Sequence, residues 1–412
     1  MKKTIIIIIT ILIVALAAFF GWYLLIRNPE TPLSETIGNI LPFGQGDNTN
    51  IPVPPIGDSS TSFDNSQEKP FGTDEFGSPT AGLFRLSNTP VAGAVTFKRG
   101  TVTIVRYVDR ATGHIYDTNL ATLTKTKVTN QTLPKIYEAY FRPDGNAVLL
   151  RSLKDDSDVV ENLTLTLTPP KGTSTDPLYA VSSILLRGDI NSVAIGSGNN
   201  LLYTQQDTSS IITSAFNGTG IKTLLTSPFT DWRLATAGNN LVVYTKASAD
   251  ASGFAYTLNT SSKAFTKILG PLNGLIVIPD ASGNRVLYSY VGNDKTSLLA
   301  KNLTKNTLTE ILPATLAEKC IWSVKKAGIL FCGAPIDSPG PLEPDGWYRG
   351  TTHFSDRIWL FDTNIDIAQA LAEPRTVFGV DIDLVEPKLS PDEDYLIFIN
   401  KIDLSLWALK LD

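Results

Sequence analysis

The chain has 412 residues, 42% of them hydrophobic, with a formal charge of −5 and only two cysteines and two histidines. A mildly acidic chain without a long Lys/Arg run argues against nucleic acid as a partner. Two cysteines exclude a disulfide-dense scaffold and a four-cysteine zinc site, and His114 and His353 alone cannot build a histidine metal cage, so neither metal nor cofactor is expected.

Ile5 to Ile26 form 22 consecutive positions without a charge. As a helix this run is about 33 Å long, enough to cross a bilayer core of roughly 30 Å. Lys2 and Lys3 precede it, and Trp22 and Tyr23 lie near its far end as interface aromatics. The positive-inside rule then puts the N-terminus in the cytoplasm and everything after Arg27 outside, as a single-pass protein of the cell membrane. Ala15-Leu16-Ala17 has the small-x-small form of a signal-peptidase site. The apolar run continues nine residues past Ala17, which favours an uncleaved anchor over residues 1–27.

Residues 28–80 change in composition. Eight prolines, from Pro29 to Pro79, fall among Gly, Ser, Thr, Asn and Asp, and no apolar period of 2 or 3.6 persists. The segment reads as a flexible or polyproline-like linker, spanning ~40 Å root-mean-square.

From residue 81 to 412 one pattern recurs: a short apolar run, a tight turn, then a longer apolar run. Ala139–Leu150 and Leu389–Phe398 are the clearest copies. Weaker ones cover Val95–Ile104, Val193–Tyr203, Leu234–Tyr244, Ile276–Tyr288 and Ile321–Phe331. The turns centre on Gly100, Gly145, Gly198, Gly238, Gly283, Gly328 and Glu393, at intervals of 45, 53, 40, 45, 45 and 65 residues. That is the period of a four-stranded blade, and Gly supplies the positive φ such a hairpin requires. The expected fold is all-β: a seven-bladed β-propeller of four-stranded antiparallel blades, preceded by one transmembrane helix and a disordered linker. Ring closure predicts that Gly82–Leu86 supplies the outer strand missing from the last copy, which ends after Leu404–Leu411.

The elements Phe141-Arg-Pro-Asp-Gly145 and Leu389-Ser-Pro-Asp-Glu393 resemble the WD40-like repeats of the TolB-type β-propellers. The resemblance spans residues 81–412 and implies a propeller that binds protein in the cell envelope, outside the cytoplasm. The expected membrane stalk is a departure from that family, and residues 28–80 do not read as a separate N-terminal domain.

Two intervals are long, and insertions mark where a propeller is specialised. Thr168–Pro177 reads as a polar loop, and nearby Asp155, Asp156 and Asp158 lack the spacing of a calcium loop. The longer insertion, between Phe331 and Ile358, is dense in Trp347, Tyr348, Arg349, His353, Phe354, Asp356 and Arg357. Trp, Tyr and Arg dominate binding hot spots, so these seven residues are the candidate ligand-binding set. The competing reading is that Trp347 and Phe354 plug the loop against the propeller face. Cys320 and Cys332 lie symmetrically about Lys326 on two arms of a hairpin, either as a disulfide or as two buried thiols.

No nucleophile elbow, zinc-protease helix, P-loop or dinucleotide fingerprint is present. The expected function is therefore a non-catalytic, membrane-anchored scaffold outside the cytoplasm that binds a protein or glycan of a bacterial cell envelope. The alternative is a glycan-active hydrolase or lyase that uses carboxylates on the propeller face, because such pairs converge from strands distant in sequence.

Overall fold

The computed structural model describes residues 82–154, 159–171, 177–196 and 198–411. The apolar segment Ile5–Ile26, the linker and Asp155–Asp158 lie outside the described residues. Among the described residues no helix is long and apolar enough to cross a membrane.

After a first strand, β1 (Leu83–Ser87), the chain lays down sheets in sequence order. β2 to β5 are Val91–Arg99, Val102–Asp109, Ile115–Asn119 and Lys125–Lys127. β6 to β9 are Ile136–Phe141, Ala147–Leu153, Val160–Thr168 and Ala180–Leu185, and β10 to β13 are Ile190–Ile195, Leu201–Gln205, Ser210–Ser214 and Lys222–Thr226. A seven-stranded sheet follows, β14 to β20: Trp232–Ala237, Asn240–Thr245, Ser252–Asn259, Phe265–Pro279, Arg285–Gly292, Lys295–Asn302 and Thr307–Glu310. β21 to β24 are Cys320–Trp322, Ile329–Pro335, Asp356–Asp362 and Ile367–Ala372, and β25 to β27 are Leu384–Leu389, Tyr395–Asn400 and Leu406–Lys410. Neighbouring strands pair antiparallel, with four strands in every sheet except the seven-stranded one.

That larger sheet arises because β17 is used twice. Its first part pairs with β16 (Leu258 opposite Phe265), and its last part pairs with β18 (Pro279 opposite Val286). By sequence, Lys263–Leu269 reads as the outer strand of one copy and the run from Ile276 as the inner strand of the next. The structure joins them into one strand of 15 residues.

The last sheet is completed from the other end of the chain. β1 pairs with β27, Leu83 opposite Leu409 and Phe84 opposite Ala408, so the expected N-terminal strand closes the ring. Apolar clusters then fill every wedge. Val95 and Phe141 lie between the first two sheets, Leu149 and Tyr203 in the next wedge, and Leu202 and Leu241 in the one after. A large cluster runs from Val242 through Ile276 to Trp322. Phe331 meets Phe398, and Ile397 with Phe84 meets Val105, which joins the last sheet to the first. The runs after each turn are buried on both faces, as with Ala147 to Leu150, none more than 1% exposed.

The expected turn residues adopt positive φ at Gly100, Gly145, Gly238, Gly283, Gly328 and Glu393. The third copy differs, because its left-handed residue is Asn199 (φ 59°) rather than Gly198. Asn tolerates that region because its short side chain hydrogen-bonds locally. Glu393 (φ 59°) has no such excuse, and a tertiary contact explains it. Its carboxylate accepts the Val324 and Lys325 N–H groups at 2.6 and 2.9 Å, so the residue ties its own hairpin to the neighbouring one.

Cys320 stands opposite Cys332 in the β21–β22 register, and their sulfurs are bonded. The bridge closes a segment of 12 residues, so the double variant Cys320→Ala/Cys332→Ala should lose about 3 kcal/mol in denaturant unfolding. Gly93 in β2 makes a second prediction. A Cβ there would lie 2.1 Å from the Ala139 carbonyl oxygen of β6, so the inner strands must separate to admit it. Gly93→Ala should cost about 1–3 kcal/mol, read in the same way.

Candidate functional site

The long insertion connects β22 to β23 and carries a one-turn helix, α1 (Asp345–Arg349). Local sequence sets both ends of α1. Glu343, just ahead of it, accepts the Trp347 N–H at 2.7 Å, and Gly350 (φ 73°) stops it with an N–H donated back to Trp347 O. Asp345 accepts the Ala249 N–H at 2.6 Å and so fastens α1 to the loop after β15.

Beneath α1 lies a cluster of charges with no exposed side-chain surface. Lys319 closes a short 3₁₀ turn (Ala317–Lys319) just ahead of β21, Asp383 immediately precedes β25, and Asp356 opens β23. Three different sheet segments thus converge on one point. Lys319 Nζ donates to Asp383 Oδ1 and lies 2.8 Å from Asp356 Oδ2. All three side chains are 0% exposed. Trp347 Nε1 donates to the Asp383 carboxylate, 3.0 and 2.9 Å from its two oxygens, and the Phe354 N–H reaches Oδ2 at 3.3 Å. The Leu384 N–H donates to Asp356 Oδ2 at 2.8 Å. Lys319 Nζ lies 5.3 Å from the Trp347 ring centroid and 4.7 Å from that of Phe354, so two aromatic faces wall the ammonium. A second cation, Lys401, donates to Trp347 O at 2.6 Å from the loop after β26.

Within the fully buried trio one lysine stands between two carboxyl groups, with Lys401 at its edge. Burial pushes the Asp356 carboxyl up to about 6, against the pull of Lys319, and the Asp383 charge adds to the rise. Its Oδ1 is buried and has no hydrogen-bond partner. Partial burial also holds Lys401 below the ordinary lysine range.

The seven candidate residues divide by position. Trp347, Phe354 and Asp356 are buried in or around the charge cluster. Arg357 is partly buried and pairs with Glu373 at 3.3 Å. Tyr348, Arg349 and His353 are exposed. Tyr348 Oη donates to Glu318 at 2.7 Å, Arg349 Nε donates to the Asp345 carbonyl at 3.1 Å, and His353 stands 4.0 Å from Asp383. Sequence reasoning missed Lys319 at the head of the same repeat, Glu343 within the insertion itself, and Asp383 and Lys401 in the last repeat. The one local signal was a lysine set between Ala317 and the apolar start of β21.

No protein-family model matches the chain, and no curated protein does. Among solved structures, an oligogalacturonate lyase in complex with manganese superimposes with a TM-score of 0.52 at 10% identity, covering 84% of this chain and 96% of its own. TolB from Acinetobacter baumannii gives a looser match, TM-score 0.40 at 8% identity over 77% of this chain and 79% of that one. The chain spans 27% of the tricorn protease, with a TM-score of 0.37, 13% identity and 74% of this chain covered. The likeness at these identities is one of fold, the β-propeller. Among the described residues no group of three or more His, Cys, Asp or Glu side chains is placed to hold a metal ion.

Trp347→Phe keeps an aromatic ring in place and removes the donor to Asp383. A buried carboxylate that loses one donor costs about 1–3 kcal/mol. Arg349→Lys, at the exposed end of the same helix, should stay within roughly 0.5 kcal/mol. Denaturant unfolding of the two variants measures the contrast.

Proposed function

We propose that the chain is a single-pass membrane protein that holds a seven-bladed β-propeller outside the cytoplasm, as a non-catalytic scaffold for a protein or glycan of the cell envelope. The anchor rests on the apolar run Ile5–Ile26 behind Lys2 and Lys3. The blade count rests on β17: counted once with β14–β16 and once with β18–β20, it turns the seven-stranded sheet into two blades and the total into seven.

One observation carries the binding role. Helix α1 is held from below by Trp347 on Asp383, by Lys401 on the Trp347 carbonyl and by Asp345 on Ala249. Tyr348, Arg349 and His353 are exposed on that fixed base, with the Tyr348 hydroxyl held by Glu318. A preorganised surface loses little entropy when it binds, and Tyr and Arg are the residue types that concentrate binding energy. Apolar side chains are also exposed on the same insertion, Ile336 at 65% and Leu342 at 70%. Asp356 and Asp383, the carboxylates beneath the insertion, meet on Lys319 with no side-chain surface exposed. An acid/base pair acting on a glycan must touch its substrate, which weighs against this pair as the machinery of the hydrolase or lyase reading.

The test is capture from envelope extract by the full-length chain, with chemical crosslinking and mass spectrometry of whatever is held. The double variant Tyr348→Ala/Arg349→Ala should lose capture roughly tenfold or more. Undiminished capture by that variant would move the site off the insertion. Turnover of an envelope glycan without a captured partner would favour the enzyme.

A further inference from the structure

We propose that Lys319 and Asp383 are joined by an intramolecular amide, formed after folding when Lys319 Nζ is acylated by the Asp383 carboxyl with Asp356 as the proton relay.

The geometry already holds each participant. Lys319 Nζ is in hydrogen-bond contact with Asp383 and lies 2.8 Å from Asp356 Oδ2. Condensation between an amine and a carboxyl needs both in their neutral forms. None of the three side chains has exposed surface, so bulk water neither solvates the reacting groups nor competes for the carboxyl. The aromatic walls of Trp347 and Phe354 close the site on the ammonium side, and no side chain of the three has exposed surface. Addition of the amine to the Asp383 carbonyl builds negative charge on a carboxyl oxygen. Trp347 Nε1 and the Phe354 N–H already donate to those oxygens, which is the arrangement that stabilises such an oxyanion. Held reactants also replace a bimolecular encounter by an intramolecular one.

Asp356 suits the relay. Its Oδ2 touches the nitrogen and accepts the Leu384 N–H, while its buried Oδ1 has no hydrogen-bond partner and is free to carry a proton. Burial raises its carboxyl to about 6, so it exchanges protons near neutrality.

The bonds balance without an oxidant or co-reactant. Proton transfer turns the ammonium and the Asp383 carboxylate into an amine and a carboxylic acid. The nitrogen lone pair attacks Asp383 Cγ and a C–N bond forms. Asp356 takes a proton from that nitrogen and delivers it to the departing hydroxyl. The C–O bond breaks and one water leaves. The two charges of the Lys319–Asp383 pair are replaced by one buried amide, which removes the desolvation cost of an ion pair. The crosslink would join the heads of β21 and β25, on two adjacent sheets 64 residues apart in sequence. Lys319 also neighbours Cys320, so the disulfide would continue the covalent path into β22. The inference is independent of which partner the insertion binds.

The test is mass spectrometry of the full-length chain, reduced and alkylated so that the disulfide does not contribute. Peptide mapping should recover the Lys319 and Asp383 peptides as one branched species, lighter by one water than the two separate peptides. Asp356→Asn cannot relay the proton and should yield the same two peptides unlinked, from a chain whose fold is checked by circular dichroism. Folded wild-type protein that gives Lys319 and Asp383 in separate peptides overturns the proposal. A branch from Lys319 to Asp356 overturns the assigned roles, and a branched peptide from Asp356→Asn overturns the relay.

Discussion

The pairing of β1 with β27 is the constraint on which the structure depends. Each sheet buries its faces against its two neighbours, so the wedge between the last sheet and the first is sealed only when the ends of the described chain pair. Leu83 and Phe84 reach that seam from one end of the described chain, and Leu409 and Ala408 from the other. Phe84 and Trp407 are both fully buried there. Closing a ring from such distant segments costs chain entropy, which the apolar surface sealed in the flanking wedges offsets. The same pairing covers a strand edge that would otherwise offer hydrogen bonds to another molecule.

Within the closed ring the sheets are not independent. β17 belongs to two of them, and Glu393 reaches from one hairpin to the next. Thr96 Oγ1 donates to the Leu389 carbonyl across the seam between first and last sheets, at 2.9 Å. Polar contacts of this kind add direction to the apolar packing and fix how each sheet is set against its neighbour.

The cluster under the insertion extends that logic to function. Lys319, Asp356 and Asp383 each begin or precede a strand of the two sheets flanking the insertion, so the point where they meet is set by the ring and not by the insertion. The insertion then adds Trp347 and Phe354, which seal the charges from water. Charges sealed in this way are costly unless their hydrogen bonds are met, and α1 provides some of those bonds. The outward side of α1 inherits its position from this buried chemistry, which is why Tyr348 and Arg349 form a defined surface and not a loose loop.

How much of this was legible in the chain differs by feature. The repeat period, the all-β class, the N-terminal closing strand and the Cys320–Cys332 register follow from turn residues and apolar runs, which are local or nearly so. The dense aromatic insertion was also visible as a break in the period. The division of its residues was not: Trp347 and Tyr348 are adjacent, yet one is buried against Asp383 and the other lies open. Nor was the positive φ at Asn199 in place of Gly198 apparent, since both residues suit such a turn. Lys319 and Asp383 look like ordinary strand-end charges, and Asp356 stands out only as one member of the insertion's candidate set. Sequence determined the blades because strand and turn preferences act over a few residues. Only the tertiary structure decided the buried charge cluster, because its members come together through ring closure and through packing between sheets that no local pattern records.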